Sequence, residues 1–151
     1  MASRAQTILV VDDHEDSRLI MRLWLGYQGR RVLEAADGHE CLSIARRERP
    51  DVIVLDLVLP RMNGWEAAQA LRRDPATAAI PIVALTAALL PEDQERALRA
   101  GCEIVVAKPA PPGLLLYYID LVHNRVVHDA MERGITGRAP RRGGFATGIP
   151  T

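Results

Sequence analysis

Five polar residues of this 151-residue chain stand directly after short aliphatic runs: Asp12 and Asp13 after TILVV, Asp56 after DVIVL, Thr86 after PIVAL, and Lys108 after EIVVA. An Asp that closes one strand is ordinary turn chemistry; the same pattern at four of five apolar runs is not. Three carboxylates, a hydroxyl and an amine form a reactive set if folding brings them together. Carboxylates gathered in one place repel each other, so the group is stable only when a cation joins it. Hard oxygen donors suit Mg2+, which keeps several waters and takes one or two carboxylates together with a phosphate oxygen. The sequence has no twelve-residue calcium loop, and no Cys or His belongs to the set, which argues against Ca2+ and Zn2+. His14 follows Asp13, but a lone His is a weak ligand signal, and strand alternation aims it into the loop. An aspartate beside a metal can act as a nucleophile and carry an acyl phosphate. The three equatorial oxygens of a transferring phosphoryl group must then be neutralised. The cation, Lys108, and Thr86 with nearby backbone N–H groups would take one each.

Residue usage singles out Lys108 further. Of 19 basic residues, 18 are arginine and Lys108 alone is lysine. Chance survival of one lysine is the plain explanation. The functional one is that a compact ammonium on a flexible stem does what a planar guanidinium cannot.

The elements that must position these residues are legible in the apolar spacing. Residues 7–11, 31–35, 51–55, 81–85 and 103–107 predict strands. Residues 16–28, 38–48, 64–73 and 91–100 predict helices, and a fifth begins near Gly113. The first helix carries apolar residues at Leu19, Ile20, Leu23, Trp24 and Tyr27, an amphipathic spacing. A strand and a helix thus alternate five times. Strands apolar throughout imply burial on both faces, the mark of a parallel sheet between helical layers. Ligands of such sheets bind at the carboxyl ends of the strands, near the reversal of winding.

Length and composition set outer bounds. One domain and a tail fit the length, and a core built from 48% apolar but only 4% aromatic residues must be aliphatic. Nineteen basic residues balance nineteen acidic ones, which argues against a protein that mainly coats nucleic acid or a membrane. Cys41 and Cys102 lie far apart without CxxC spacing and read as reduced, partly buried thiols. Neither a spanning helix nor a secretory signal is visible, so a cytoplasmic protein is expected.

The segments ILVVDDHEDSR, DVIVLDLVLPRMNGWE, IPIVALTA and AGCEIVVAKPA together resemble the receiver domain of two-component response regulators. Their order and spacing match that family: 43 residues from Asp13 to Asp56, 30 to Thr86 and 22 more to Lys108. The resemblance covers about residues 6–123. It implies a flavodoxin-like (βα)5 fold, a doubly wound five-stranded parallel sheet. It also implies that Asp56 accepts a phosphoryl group from a sensor histidine kinase or a histidine phosphotransfer protein. By the same resemblance Asp13, Asp56 and the backbone carbonyl of Val58 bind Mg2+ directly, and Asp12 does so through water. Thr86 and Lys108 contact the phosphoryl group, and the Lys108–Pro109 bond is cis. Family members shift a two-state equilibrium on phosphorylation, read out on helix four, strand five and helix five. They are regulators rather than enzymes, with only self-phosphorylation and self-dephosphorylation chemistry. A degenerate receiver acting as an adaptor without phosphorylation is the alternative. An aspartate-nucleophile phosphatase is remote, because Val58 stands two positions after Asp56 where that class has a second Asp.

Departures from the family pattern are informative. Val105 occupies the place of an aromatic switch residue, and Ala110 that of the usual Phe. Val58 and Ala88 cannot orient a water by hydrogen bonding, which predicts slow loss of the phosphoryl group. No DNA-binding domain is expected: after His123 only 28 residues follow. Residues 1–5 read as an N-terminal extension, 124–133 as an extension of helix five ending at Gly134, and 134–151 as a flexible Gly/Pro/Arg-rich tail. In helix five, Leu115, Ile119 and Val122 form the stripe expected to face the sheet. Leu114, Tyr117, Tyr118 and Leu121 form a second stripe expected to face away, and an exposed patch of that size marks an interface. A homodimer, or docking to a kinase, through helix five is the expected consequence; a tail folding back over that stripe is the alternative.

Overall fold

A computed structural model describes residues 5–87 and 90–136. Five strands, β1 (Thr7–Val11), β2 (Arg31–Ala35), β3 (Val52–Asp56), β4 (Ile82–Thr86) and β5 (Ile104–Ala107), alternate with five helices. The helices are α1 (Glu15–Tyr27), α2 (Gly38–Glu48), α3 (Gly64–Arg73), α4 (Pro91–Ala100) and α5 (Pro112–Thr136). The strands form one parallel sheet in the order β2-β1-β3-β4-β5. From β1 the chain moves outward to β2, then crosses back to β3 and continues the other way. The reversal therefore falls between β1 and β3, whose carboxyl ends carry Asp12, Asp13 and Asp56. Register aligns the rest of the set on that edge: Asp56 lies opposite Leu85, and Thr86 opposite Ala107, the residue before Lys108.

Alternation along the strands splits the core in two. Ile8, Val10, Val52, Val54, Val83 and Val106 pack against Leu25 of α1 and against Leu115, Tyr118, Ile119 and Val122 of α5. Leu9, Val11, Ile53, Leu55, Ile82 and Val105 face the other layer. There Cys41 and Ala45 of α2, Leu71 of α3 and Ala97 of α4 meet them. Each fully buried aliphatic side chain of this kind contributes about 1.5–3 kcal/mol. The side chains of Asp37 and Asn63 cap α2 and α3 by accepting from the N–H groups of Glu40 and Glu66. Cys41 and Cys102 are free, buried thiols, each pushed up to about 12 by burial.

Three expectations about helices are corrected. In α1 the inward stripe is Leu25 with half-buried Met21 and Trp24, while Leu19, Ile20, Leu23 and Tyr27 are exposed. This helix is apolar on more than one side, so spacing alone leaves its rotation open. Arg18 and Arg22 both pair with Glu34 of β2, which ties one side of the helix to that strand. In α5 the expected inward residues are buried, but Tyr118 is buried with them at 5% exposure, its ring meeting Tyr117 edge-on. Tyr118 lies three positions after Leu115 and four before Val122 and so shares the sheet-facing arc. Leu114 is half-buried, which leaves Tyr117 and Leu121 facing outward. Finally, α5 does not stop at Gly134 but runs through it to Thr136; Gly weakens a helix without breaking it. The expected tail beyond that point lies outside the described residues.

One glycine is fixed by the architecture. A Cβ on Gly64 would sit 2.5 Å from the Cα of Leu57 and 2.6 Å from the carbonyl oxygen of Asp56. The start of α3 thus rests directly on the peptide that carries Asp56. Gly64→Ala is expected to destabilise the protein by about 2–3 kcal/mol through this backbone overlap. Gly26→Ala, on an open face of α1, should stabilise it by about 0.5–1 kcal/mol. Urea denaturation of both variants checks the contrast, and equal effects would contradict it.

Candidate functional site

The sheet ends at its carboxyl edge in a connected polar cluster. Lys108, following β5, donates from Nζ to Asp56 Oδ2 at 2.8 Å and to Asp12 Oδ2 at 3.3 Å. The other Asp56 oxygen, Oδ1, accepts the backbone N–H of Val58 at 3.0 Å. Asp12 Oδ1 accepts the N–H of His14 at 2.8 Å. Arg18 donates to the carbonyl of Asp12 at 2.6 Å, bracing the turn between β1 and α1. Thr86 is fully buried, and its carbonyl accepts the N–H of Lys108 at 2.9 Å. The Lys108–Pro109 peptide is cis.

Exposure divides the three carboxylates. Asp12 and Asp56 are buried, while Asp13 opens to solvent. Burial dominates Asp56 and holds its carboxyl above the ordinary aspartate range, although the hydrogen bonds from Lys108 and Val58 pull the other way. Burial also pulls Lys108 down, but the hydrogen bond and charge of Asp56, joined by Asp12, outweigh it and raise the amine. The two directions are compatible because the Asp56 side chain is 6% exposed and that of Lys108 27%. Desolvation wins for the deeper group and pairing for the shallower one. Two carboxylates, those of Asp12 and Asp56, meet one ammonium, and Asp13 adds a third negative group next to Asp12. Hard oxygen donors with a solvent-open carboxylate among them suit a divalent cation.

The structure brings Asp12, Asp56 and Lys108 into direct contact and sets the end of Thr86 beside them. It also draws in His14, which sequence reading set aside. His14 Nδ1 lies 3.3 Å from Asp12 Oδ1 and 3.2 Å from Asp13 Oδ1. One ligand atom from each of Asp12, Asp13 and His14 can be chosen so that all lie within 4.8 Å of one another. Strand alternation failed as a guide because β1 ends at Val11, and His14 already belongs to the turn that starts α1. Val105 is buried in the layer facing α2, α3 and α4 and puts no ring there. Val58 is 59% exposed beside the acceptor, with no polar side-chain atom to hold a water. Ala88 lies outside the described residues.

Comparison with known proteins gives the family. The family described as response regulator receiver domain matches residues 8–120, and the chain belongs to that family. It is 34% identical over 115 residues to protein PilH of Pseudomonas aeruginosa, covering 76% of this chain and 95% of that one. It is 38% identical over 121 residues to the probable transcriptional regulator ycf27 of Porphyridium aerugineum, covering 80% of this chain. The match takes in only 49% of ycf27, so the chain spans about half the length of that relative. Among solved structures, the receiver domain of a sensor histidine kinase from Pseudomonas aeruginosa superposes with a TM-score of 0.74 at 32% identity. The match covers 80% of this chain and 99% of that one, whose active-site cleft coordinates a magnesium ion. Among the described residues, no helix is long and apolar enough to cross a membrane.

The raised Asp56 carboxyl has a consequence for stability. The folded state keeps this proton at pH values where the unfolded chain has already released it. Stability from this group is therefore lost as pH rises from the ordinary aspartate value of 3.8 through the raised folded value. Without metal, Asp56→Asn is expected to stabilise the protein at neutral pH, with the gain vanishing below the ordinary aspartate value. Denaturation of both proteins across that pH range checks it; a gain that grows on acidification would contradict it.

Proposed function

We propose that Asp56 is the phosphoacceptor of a signalling protein that takes its phosphoryl group from a phosphohistidine on a sensor histidine kinase or phosphotransfer protein. The observation that carries this is the 2.8 Å contact between the Lys108 ammonium and the Asp56 carboxylate, on the edge where Asp12 and Asp13 meet. In the transfer, an Asp56 oxygen attacks phosphorus, a P–O bond forms, and the P–N bond to the donor imidazole breaks with its electron pair returning to nitrogen. Lys108 neutralises one phosphoryl oxygen, and the Thr86 hydroxyl with nearby N–H groups takes a second. Asp13, Asp56 and the Val58 carbonyl would hold Mg2+ directly and Asp12 through water, and the bound ion would supply positive charge for the third oxygen. The protein acts by contact with other proteins after this change, not by turnover of a substrate.

Incubation with acetyl phosphate and Mg2+ should add one phosphoryl group by intact mass, and Asp56→Asn should abolish the addition. No addition to the wild-type chain would favour a phosphorylation-independent adaptor. Val58 cannot hold a hydrolytic water, so the phosphorylated protein should persist for minutes or longer with Mg2+ present. Decay within seconds would contradict this.

Helix α5 supplies the proposed contact between two copies. Its 25 residues span about 37 Å, far beyond a five-residue strand of about 17 Å. Tyr117, Leu121, Val127 and Met131 are exposed along one side of it, from 37% to 65%. Sedimentation of the full chain should show a dimer that Tyr117→Glu/Leu121→Glu converts to a monomer. The same state in both proteins would remove helix five as the interface.

A further inference from the structure

We propose that His14 is a nitrogen ligand of the cation at this edge and gives the site a preference for borderline transition ions over Mg2+, an assignment that rests on the cation site proposed above. His14 is the N-cap residue of α1, a position where Ser, Thr, Asp or Asn normally accepts a backbone N–H. Its side chain makes no such bond. The backbone at His14 is extended, with φ −90° and ψ 114°, and the ring nitrogen Nδ1 meets the two aspartates that follow β1. There Nδ1 stands 3.3 Å from Asp12 Oδ1 and 3.2 Å from Asp13 Oδ1. Two ligands at right angles on an octahedral ion with bonds of about 2.1 Å are themselves about 3 Å apart. The imidazole nitrogen and the oxygen of Asp13, a direct ligand in the proposed site, therefore already stand close to the separation of adjacent ligands on one ion.

The ring also has room to act. The side chain of His14 is 71% exposed, so it can adjust to an ion without disturbing the core. An all-oxygen site of carboxylate, carbonyl and water suits Mg2+. Exchange of one water for an imidazole shifts preference along the series from Mn2+ toward Ni2+, because nitrogen donors strengthen along that order. The earlier expectation against nitrogen-seeking ions assumed that no His belonged to the cluster, and the geometry removes that assumption.

The test is titration calorimetry of the full chain with MgCl2, MnCl2 and NiCl2, for the wild type, His14→Asn and Asp13→Asn. Asn retains a short polar side chain suited to the N-cap and removes the ring nitrogen. The wild type should bind Ni2+ more tightly than Mn2+, and Mn2+ more tightly than Mg2+. His14→Asn should weaken Ni2+ by about tenfold or more while Mg2+ changes by less than about twofold. Asp13→Asn should weaken all three ions. Equal Ni2+ affinity in the wild type and His14→Asn, with Mg2+ binding intact, overturns the role of His14 alone. Failure of the wild type to bind any of the three ions overturns the cation site as well.

Discussion

A carboxylate almost sealed from water at the end of a strand is costly unless positive charge stands within hydrogen-bonding reach. Asp56 meets that condition through Lys108, and much of the fold serves this pairing. Asp56 ends β3 while Lys108 follows β5, so the amine must reach past the intervening strand β4. A long, slender, flexible stem can do so, and its compact head can serve Asp12 and Asp56 together. A guanidinium has a planar fork suited to two oxygens of one carboxylate, not to a point between two. In a chain that otherwise uses arginine throughout, the single lysine is explained by geometry.

The second condition is that the backbone under Asp56 cannot move independently of it. Gly64 lies against the Asp56 peptide closely enough to exclude a methyl group, and its N–H donates to the carbonyl of Leu57 at 3.0 Å. Val58 donates its own N–H to the acceptor side chain. The acceptor is therefore held from both ends of the loop that follows it. An in-line displacement gains most when the attacking atom is already oriented, and this loop fixes that orientation without any side chain being spent on it.

Much of this was legible from residue types. Strands apolar on both faces gave the parallel sheet, and the polar residues closing four of the five gave the edge, because burial on two sides leaves no other place for a carboxylate. Less legible were features decided by rotation. Helix α1 is apolar around most of its circumference, and only its pairing with Glu34 shows which stripe turns inward. Tyr118 and Tyr117 are adjacent and chemically alike, yet one position of helical rotation buries the first and exposes the second. The place of His14 was not legible from strand alternation, because β1 ends at Val11 and His14 belongs to the turn before α1, where its Nδ1 stands beside Asp12 and Asp13.

Val105 raises the question of how a change at Asp56 reaches the outer helices without a ring at that place. The structure holds one contiguous line of contacts. Gly64 rests on the Asp56 peptide, and the next residue, Trp65, reaches from α3 across to α4. Its indole N–H donates to the carbonyl of Asp93 at 3.3 Å, and its ring lies 4.5 Å from the guanidinium carbon of Arg96. Packed cores respond to small shifts by moving between discrete arrangements rather than by bending smoothly. Gly64 leaves no room for a Cβ against the Asp56 peptide, so the start of α3 packs closely on the acceptor backbone, and the aromatic side chain next along α3 is the one that joins that helix to α4. An aromatic contact between helices thus stands beside the acceptor, while β5 carries Val105.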